Sequence, residues 1–284
     1  MPTFGSVLCG RNDGYGGHTQ EKFIYVINSL IYACDEVYYI DWNSPNNVSL
    51  VDACKEHIVK FQKLHHIKIS EKQVKELTNN DVDAQRCTEV LARNIGIRRL
   101  TTDFIYSTNT DDLTPHRRHF EIGRFHKDTF YIAARRDTTL SEVQTYAPYS
   151  GTITAINELE ARMTARPHAG NAGCNDSDRW SIYACPGDFQ LAHRDIWYKI
   201  KGYEEHMIYR GYTDSNVQCK AEVAGFNLIG INDLPVFHFA HDLDTGASGG
   251  GVGKWNDMEV YEGYVTKNKD TWGFSEIDFQ EEII

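Results

Sequence analysis

At 284 residues, with 24% charged and 41% hydrophobic positions, the sequence has the usage of a folded, water-soluble protein, which excludes disorder, collagen and coiled coil. A chain of this size buries roughly 75% of its unfolded surface, so its core needs neither disulfides nor a structural metal. The formal charge of −11 disfavours nucleic acid as a stable partner, because phosphate binding depends on cationic patches; an acidic chain that handles phosphates needs a bridging cation or a local basic pocket.

The first hundred residues alternate strand and helix. Ser6 to Cys9 predicts a strand ending in the polar loop Gly10-Arg11-Asn12-Asp13-Gly14, and Phe23, Ile27, Leu30, Ile31 and Cys34 then form one stripe of a helix starting near Thr19. Val37 to Ile40 is the next strand, closed by Asp41-Trp42-Asn43-Ser44-Pro45. Leu50 to Val59 reads as helix, Ile67 to Ile69 as strand, Ala84 to Leu100 as helix and Phe104 to Thr108 as strand. This order predicts an α/β protein with a doubly wound, mostly parallel sheet, in which ligands bind beyond the carboxyl ends of the strands. The polar clusters Arg11-Asn12-Asp13, Asp41-Trp42-Asn43 and Asn109-Thr110-Asp111-Asp112 fall at three such ends. Gly14, Gly16 and Gly17 do not have the spacing of a dinucleotide fingerprint, which argues against a nicotinamide enzyme.

Beyond residue 112 the pattern loosens into mixed α+β. Strands are expected at Phe130 to Ala134, Phe189 to Ala192 and Asn227 to Ile231, with a helix from Asp214 to Ala224 stopped by Gly225. Ala165 to Asp178 and the five-glycine stretch Thr245 to Lys254 read as loops. The seven cysteines are scattered with no Cys-x-x-Cys pair, which suggests reduced thiols and a cytoplasmic protein. No signal peptide or membrane span is expected. His65, His66, His116 and His119 form no zinc pattern and read as solvated loop and helix positions.

An apolar strand that delivers Asp111 and Asp112 into a loop can offer oxygen ligands to a hard divalent cation able to bridge to phosphates; an Asx-rich turn is the alternative. Arg93, one helix earlier, would suit a diphosphate. At these residues the sequence resembles the nucleotide-sugar glycosyltransferases of the GT-A fold, particularly the inverting family-2 type. The resemblance is carried by Arg11-Asn12-Asp13, Asp41, Ala92-Arg93-Asn94-Ile95-Gly96 and Asn109-Thr110-Asp111, the last with Asn109 where the family usually has Asp. It continues through Gly187-Asp188-Phe189-Gln190, Gly202-Tyr203-Glu204-Glu205 and Gly211-Tyr212-Thr213-Asp214, and through Pro235 to Asp242. Asn268 to Phe274 matches a tail found in some of these enzymes.

The resemblance implies one GT-A catalytic domain over residues 1–284: a nucleotide-sugar half (1–112), an acceptor half (113–244) and a Gly-rich loop with C-terminal tail (245–284). It implies transfer, with inversion, from a UDP-sugar to a hydroxyl of a glycan or other acceptor, with Mn2+ or Mg2+ as cofactor. Donor contacts are expected from Arg11, Asn12, Asp13, Asp41, Arg93, Asn109 and Thr110. Asp111, Asp112 and one of His238 and His241 are the metal candidates, since two histidines three apart on an extended segment face opposite ways. Asp214 is the expected base, with helix N-cap as its plain structural alternative and Asp188 in reserve. A sugar nucleotidyltransferase and a non-catalytic sugar-binding protein on the same fold are the rival readings; the first would want a basic Gly-rich loop, and the second is motivated by Asn109 and Thr213.

Overall fold

The computed structural model describes residues 1–59, 63–81, 88–121, 125–165, 171–172, 187–208, 212–240 and 263–284. β1 (Phe4–Gly10), α1 (Thr19–Ala33), β2 (Glu36–Trp42), α2 (Leu50–Cys54), β3 (Leu64–Ile69), α3 (Glu71–Leu77), α4 (Glu89–Arg99) and β4 (Phe104–Ser107) make the alternating first part. β5 (Asp112–Leu113), α5 (Arg117–Glu121), β6 (Thr129–Thr138), α6 (Leu140–Tyr146), α7 (Thr152–Ala165), β7 (Asn171–Ala172), β8 (Gln190–His193), α8 (Arg194–Ile200), α9 (Thr213–Val223), β9 (Asn227–Phe239) and β10 (Glu281–Ile283) follow.

Among the described residues the strands form a single sheet in the order β10-β3-β2-β1-β4-β8-β6-β9-β5, with β7 paired to β6. β3, β2, β1 and β4 are mutually parallel, and β8 runs antiparallel between β4 and β6. β6 and β9 are parallel, so the sheet is mostly parallel, as the alternating pattern predicts. Side chains alternate across the strands into two cores. Leu8, Tyr39 and Tyr106 pack with α1 and α2 residues such as Phe23, Leu30 and Leu50. Val7, Tyr38, Ile40 and Ile105 pack on the other face with α4 and α8 residues such as Ile95, Ile97 and Trp197. Both faces of the sheet are therefore covered, the condition under which parallel strands are stable. α4 lies close to the sheet because a Cβ at Gly96 would run into Val7, which gives the Arg-Asn-x-Gly glycine a packing reason.

Several boundaries differ from the sequence reading. α2 stops at Cys54, where the backbone leaves the helical region (φ −109°, ψ 4°) before a single 3-10 turn. β3 begins at Leu64, so His65 and His66 are strand residues and not solvated loop positions; His66 is buried because it shares the α2-facing side with Leu64. β6 runs on to Thr138 and β9 to Phe239, since strand pairing between them carries the charged residues Arg135 to Asp137. No described helix is long and apolar enough to cross a membrane.

Candidate functional site

The carboxyl ends of β1, β2 and β4 lie on one sheet edge, with the three polar clusters immediately after them. Because β8 is antiparallel to β4, with Gln190 opposite Ser107, Gly187 and Asp188 reach the same edge from the amino end of β8. Asn12 ties the first two clusters together: its backbone N–H donates to Ser44 Oγ (2.8 Å) and its amide donates to the Val48 carbonyl (3.1 Å). Arg11 Nε lies 3.4 Å from Asp13 Oδ2. Asp41 is buried and receives the Ser44 hydroxyl and backbone N–H, so it braces this loop; burial raises its pKa while Ser44 holds it down. Thr110 sits against Gly10.

Asp111, Asp112 and His238 each present a ligand atom within 4.8 Å of the others. The register explains this: Asp112 on β5 lies opposite His238 on β9, and Phe239 N–H donates to the Asp111 carbonyl (2.8 Å). His238 Nε2 is 3.6 Å from Asp111 Oδ2, and its Nδ1 is 3.1 Å from Asp137 Oδ1. A proton on Nδ1, held by Asp137, leaves the Nε2 lone pair facing Asp111, the usual arrangement of a metal-binding imidazole. Asp112 is 0% exposed; no amide, hydroxyl or basic side chain among the described residues donates to it, and the group within hydrogen-bonding reach is another acid, Asp188. Burial, then Asp188 and Asp111, push its pKa well up, with Arg135 opposing. A buried carboxyl met only by other acids and an imidazole among the described residues fits a divalent cation bound by oxygen and nitrogen.

Asp214 lies in the first turn of α9, after Tyr212, which takes the cap position; the plain N-cap alternative is thereby excluded. Its side chain keeps 34% of its accessibility. The Gly187 backbone N–H donates to its carboxylate, and a Cβ at Gly187 would collide with it. Burial pushes the Asp214 pKa up to about 6, with Arg93 opposing and Glu89 and Asp188 adding to the rise. An accessible carboxyl with that pKa can accept a proton near neutrality.

No protein-family model and no curated protein sequence matches the chain. Solved structures do. TarS of S. aureus superposes with TM-score 0.53 at 10% identity, over 84% of this chain and 37% of that one. The 1-349 form of TarS in complex with UDP superposes with TM-score 0.51 at 10% identity, over 84% of this chain and 60% of that one. The mannosyltransferase PcManGT of Pyrobaculum calidifontis, in complex with GDP-Man and Mn2+, gives 0.48 at 15% identity, over 85% and 58%. The fold is GT-A. This chain spans 58–60% of the length of the first structures it matches.

Within the GT-A sheet, one network joins the base candidate to the metal candidates. Arg93 NH1 is 3.8 Å from Asp214 Oδ1, and Arg93 NH2 donates to Asn109 Oδ1. Asn109 Nδ2 donates to Asp188 Oδ1 (2.8 Å), and Asp188 lies beside Asp112. Asn109 therefore accepts from a cation and donates to a carboxylate at once. An Asp in its place could do only the first, so the amide is used structurally.

Two of the expected roles change. Arg93 is 3% exposed, and its guanidinium is taken up by Asn109, Glu89, Ser107 and the Tyr203 hydroxyl (3.1 Å); it braces the site floor instead of reaching a diphosphate in the crevice. Asp188 is 1% exposed and held by Arg135 NH1 (3.2 Å) as well as Asn109, which suits a brace and not a proton acceptor. His241 and the loop Thr245 to Lys254 lie outside the described residues, as does most of Ala165 to Asp178. The sequence reading has no place for Arg135 or Asp137, and it sets Tyr203 in the acceptor segment without its contact to Arg93. Arg135 and Asp137 are two apart on β6, the period that places them on one side, but the strand was expected to end before them.

Proposed function

We propose that this chain is a metal-dependent glycosyltransferase that moves a sugar, with inversion, from a nucleoside diphosphate sugar to an acceptor hydroxyl. The observation that carries the reading is the Asp111, Asp112 and His238 group at the carboxyl edge of a GT-A sheet, in which buried Asp112 meets no basic or neutral donor among the described residues. UDP is the proposed nucleotide, supported by the TarS complex, and Mn2+ or Mg2+ the proposed ion. Asp111, Asp112 and His238 would hold the cation; once bound, it supplies positive charge against the leaving diphosphate. This also lets a chain of charge −11 hold two phosphates.

Arg11, Asn12, Asp13 and Asp41, with Asn109 and Thr110, shape the donor end, Asp41 and Asn109 acting mainly by bracing their loops. Asp214 takes the proton from the acceptor hydroxyl as its oxygen bonds to the anomeric carbon and the bond to the diphosphate breaks. The elevated pKa of Asp214 suits that transfer, and Gly187, lacking a Cβ that would strike the carboxylate, lets its own backbone N–H reach it. We further propose residues 1–284 as one catalytic domain, with donor half 1–112, acceptor half 113–244 and tail 245–284. The buried free thiols of Cys34 and Cys54 support a cytoplasmic setting.

Turnover of a panel of nucleotide sugars with Mn2+ tests this reading. Release of nucleoside diphosphate is expected; release of pyrophosphate identifies a nucleotidyltransferase, and no turnover with any donor and acceptor identifies a binding protein. Proton NMR of the product from an α-linked donor should show a β-linkage, and an α-linked product refutes inversion.

A further inference from the structure

A second cluster lies at the far edge of the sheet. Asp52 on α2, His66 on β3 and Glu282 on β10 each offer a ligand atom within 4.8 Å of the others. Glu282 and His66 are direct partners in the antiparallel β10–β3 pair. His66 is 1% exposed, and among the described residues neither ring nitrogen has a hydrogen-bond partner. A neutral imidazole carries one donor and one acceptor, and burying both unmade is costly.

The carboxylates are oriented in keeping with this. Every hydrogen bond to Asp52 ends on Oδ2: Ser49 N and Ser49 Oγ at 2.8 Å and Lys68 Nζ at 2.7 Å. Lys55 Nζ meets Glu282 Oε1 at 3.0 Å, while Oε2 of the same group lies 4.0 Å from His66 Nδ1. Each lysine thus occupies one oxygen of its carboxylate, and on Glu282 the other oxygen is the one that faces His66. Glu282 is 52% exposed at its side chain, so it can turn inward to the ~2 Å bonds a metal requires.

We infer that Asp52, His66 and Glu282 form a second divalent-cation site, of the zinc class, that fastens the C-terminal strand to the sheet edge. One imidazole and two carboxylates with water in the fourth position suit a borderline ion such as Zn2+. The consequence is structural: β10 is a three-residue edge strand of exposed residues, and a shared ion would tie it to both β3 and α2.

The probes are Zn2+ and Co2+ added to the full chain after chelator treatment. Metal content after gel filtration should fall by one ion per chain in Glu282→Gln and in His66→Gln relative to wild type. Because the readout is a difference, it holds whether or not the Asp111 site binds metal. Glu282→Gln lies on an exposed edge and leaves the core intact, which covers the case in which His66→Gln fails to fold. Zn2+ should slow hydrogen exchange of the 281–283 amides in wild type and not in Glu282→Gln, and the visible bands of Co2+ should lose the contribution of this site. Equal metal content in wild type and Glu282→Gln, or exchange at 281–283 that Zn2+ leaves unchanged, overturns the inference and identifies His66 as solvated by water alone.

Discussion

If Asp214 accepts the acceptor proton, turnover must follow its ionisation. Its pKa is pushed up to about 6, so the reactive carboxylate prevails at pH 7 and falls to about one part in ten at pH 5. Turnover should plateau above pH 7 and drop about tenfold by pH 5. Arg93 sets part of that value. At 3.8 Å from Asp214 Oδ1, a unit charge contributes ~1 kcal/mol at the dielectric of water and ~4 kcal/mol at an effective dielectric of 20, or ~0.8 to ~3 pK units. Arg93→Gln should therefore move the acid limb from about 6 to 7 or above, whereas Arg93→Lys, which keeps the charge, should move it less. Asp214→Asn should lose about 10²–10⁴ in turnover, with donor affinity nearly unchanged. The assay is nucleoside diphosphate release from pH 4.5 to 9 at saturating donor. An acid limb that stays in place in Arg93→Gln, or that survives in Asp214→Asn, refutes the assignment.

Asp112→Asn removes a charge that folding forces into a carboxylate-lined interior. Because the folded pKa of Asp112 is raised, its protonated form favours the fold, and the stability it contributes is lost as pH rises through the folded value. In calorimetric scans of chelated protein the variant should melt higher than wild type, increasingly so at alkaline pH, yet lose the rise in Tm that Mn2+ gives wild type; a variant still stabilised by Mn2+ removes Asp112 from the site. Asp137→Asn should weaken Mn2+ binding about 10–100-fold, measured by titration calorimetry, since Asp137 fixes the His238 ring; unchanged affinity dissociates Asp137 from metal binding. Gly187→Ala should slow turnover by displacing Asp214 while leaving Mn2+ affinity intact, and wild-type turnover in this variant removes Gly187 from the account.

The alternation of β1, α1, β2, α4 and β4 is legible in the sequence because apolar periodicity there is strong and each strand ends in a polar turn. Asp111 and Asp112 stand out as adjacent carboxylates after an apolar strand, and His238 as a histidine on an extended aromatic segment. The cross-strand register that sets Asp112 opposite His238 is a tertiary fact with no local signal. Burial of Arg93 and Asp188 escapes the sequence for a related reason. Charged residues are ordinarily exposed, and here mutual pairing through Asn109 and Arg135 overrides that tendency. The extension of β6 through Arg135, Arg136 and Asp137 follows from its pairing with β9 and not from strand propensity, so the two residues it adds to the site were hidden by their own charge.

The proposed nucleotide-sugar site is completed by a cation that Asp111 helps to hold. Titration calorimetry of UDP into the full chain tests it without knowledge of the acceptor, in three samples: wild type with Mn2+, wild type with chelator, and Asp111→Ala with Mn2+. Strong binding is expected in the first and its near-complete loss in the other two. Equal affinity in all three contradicts it.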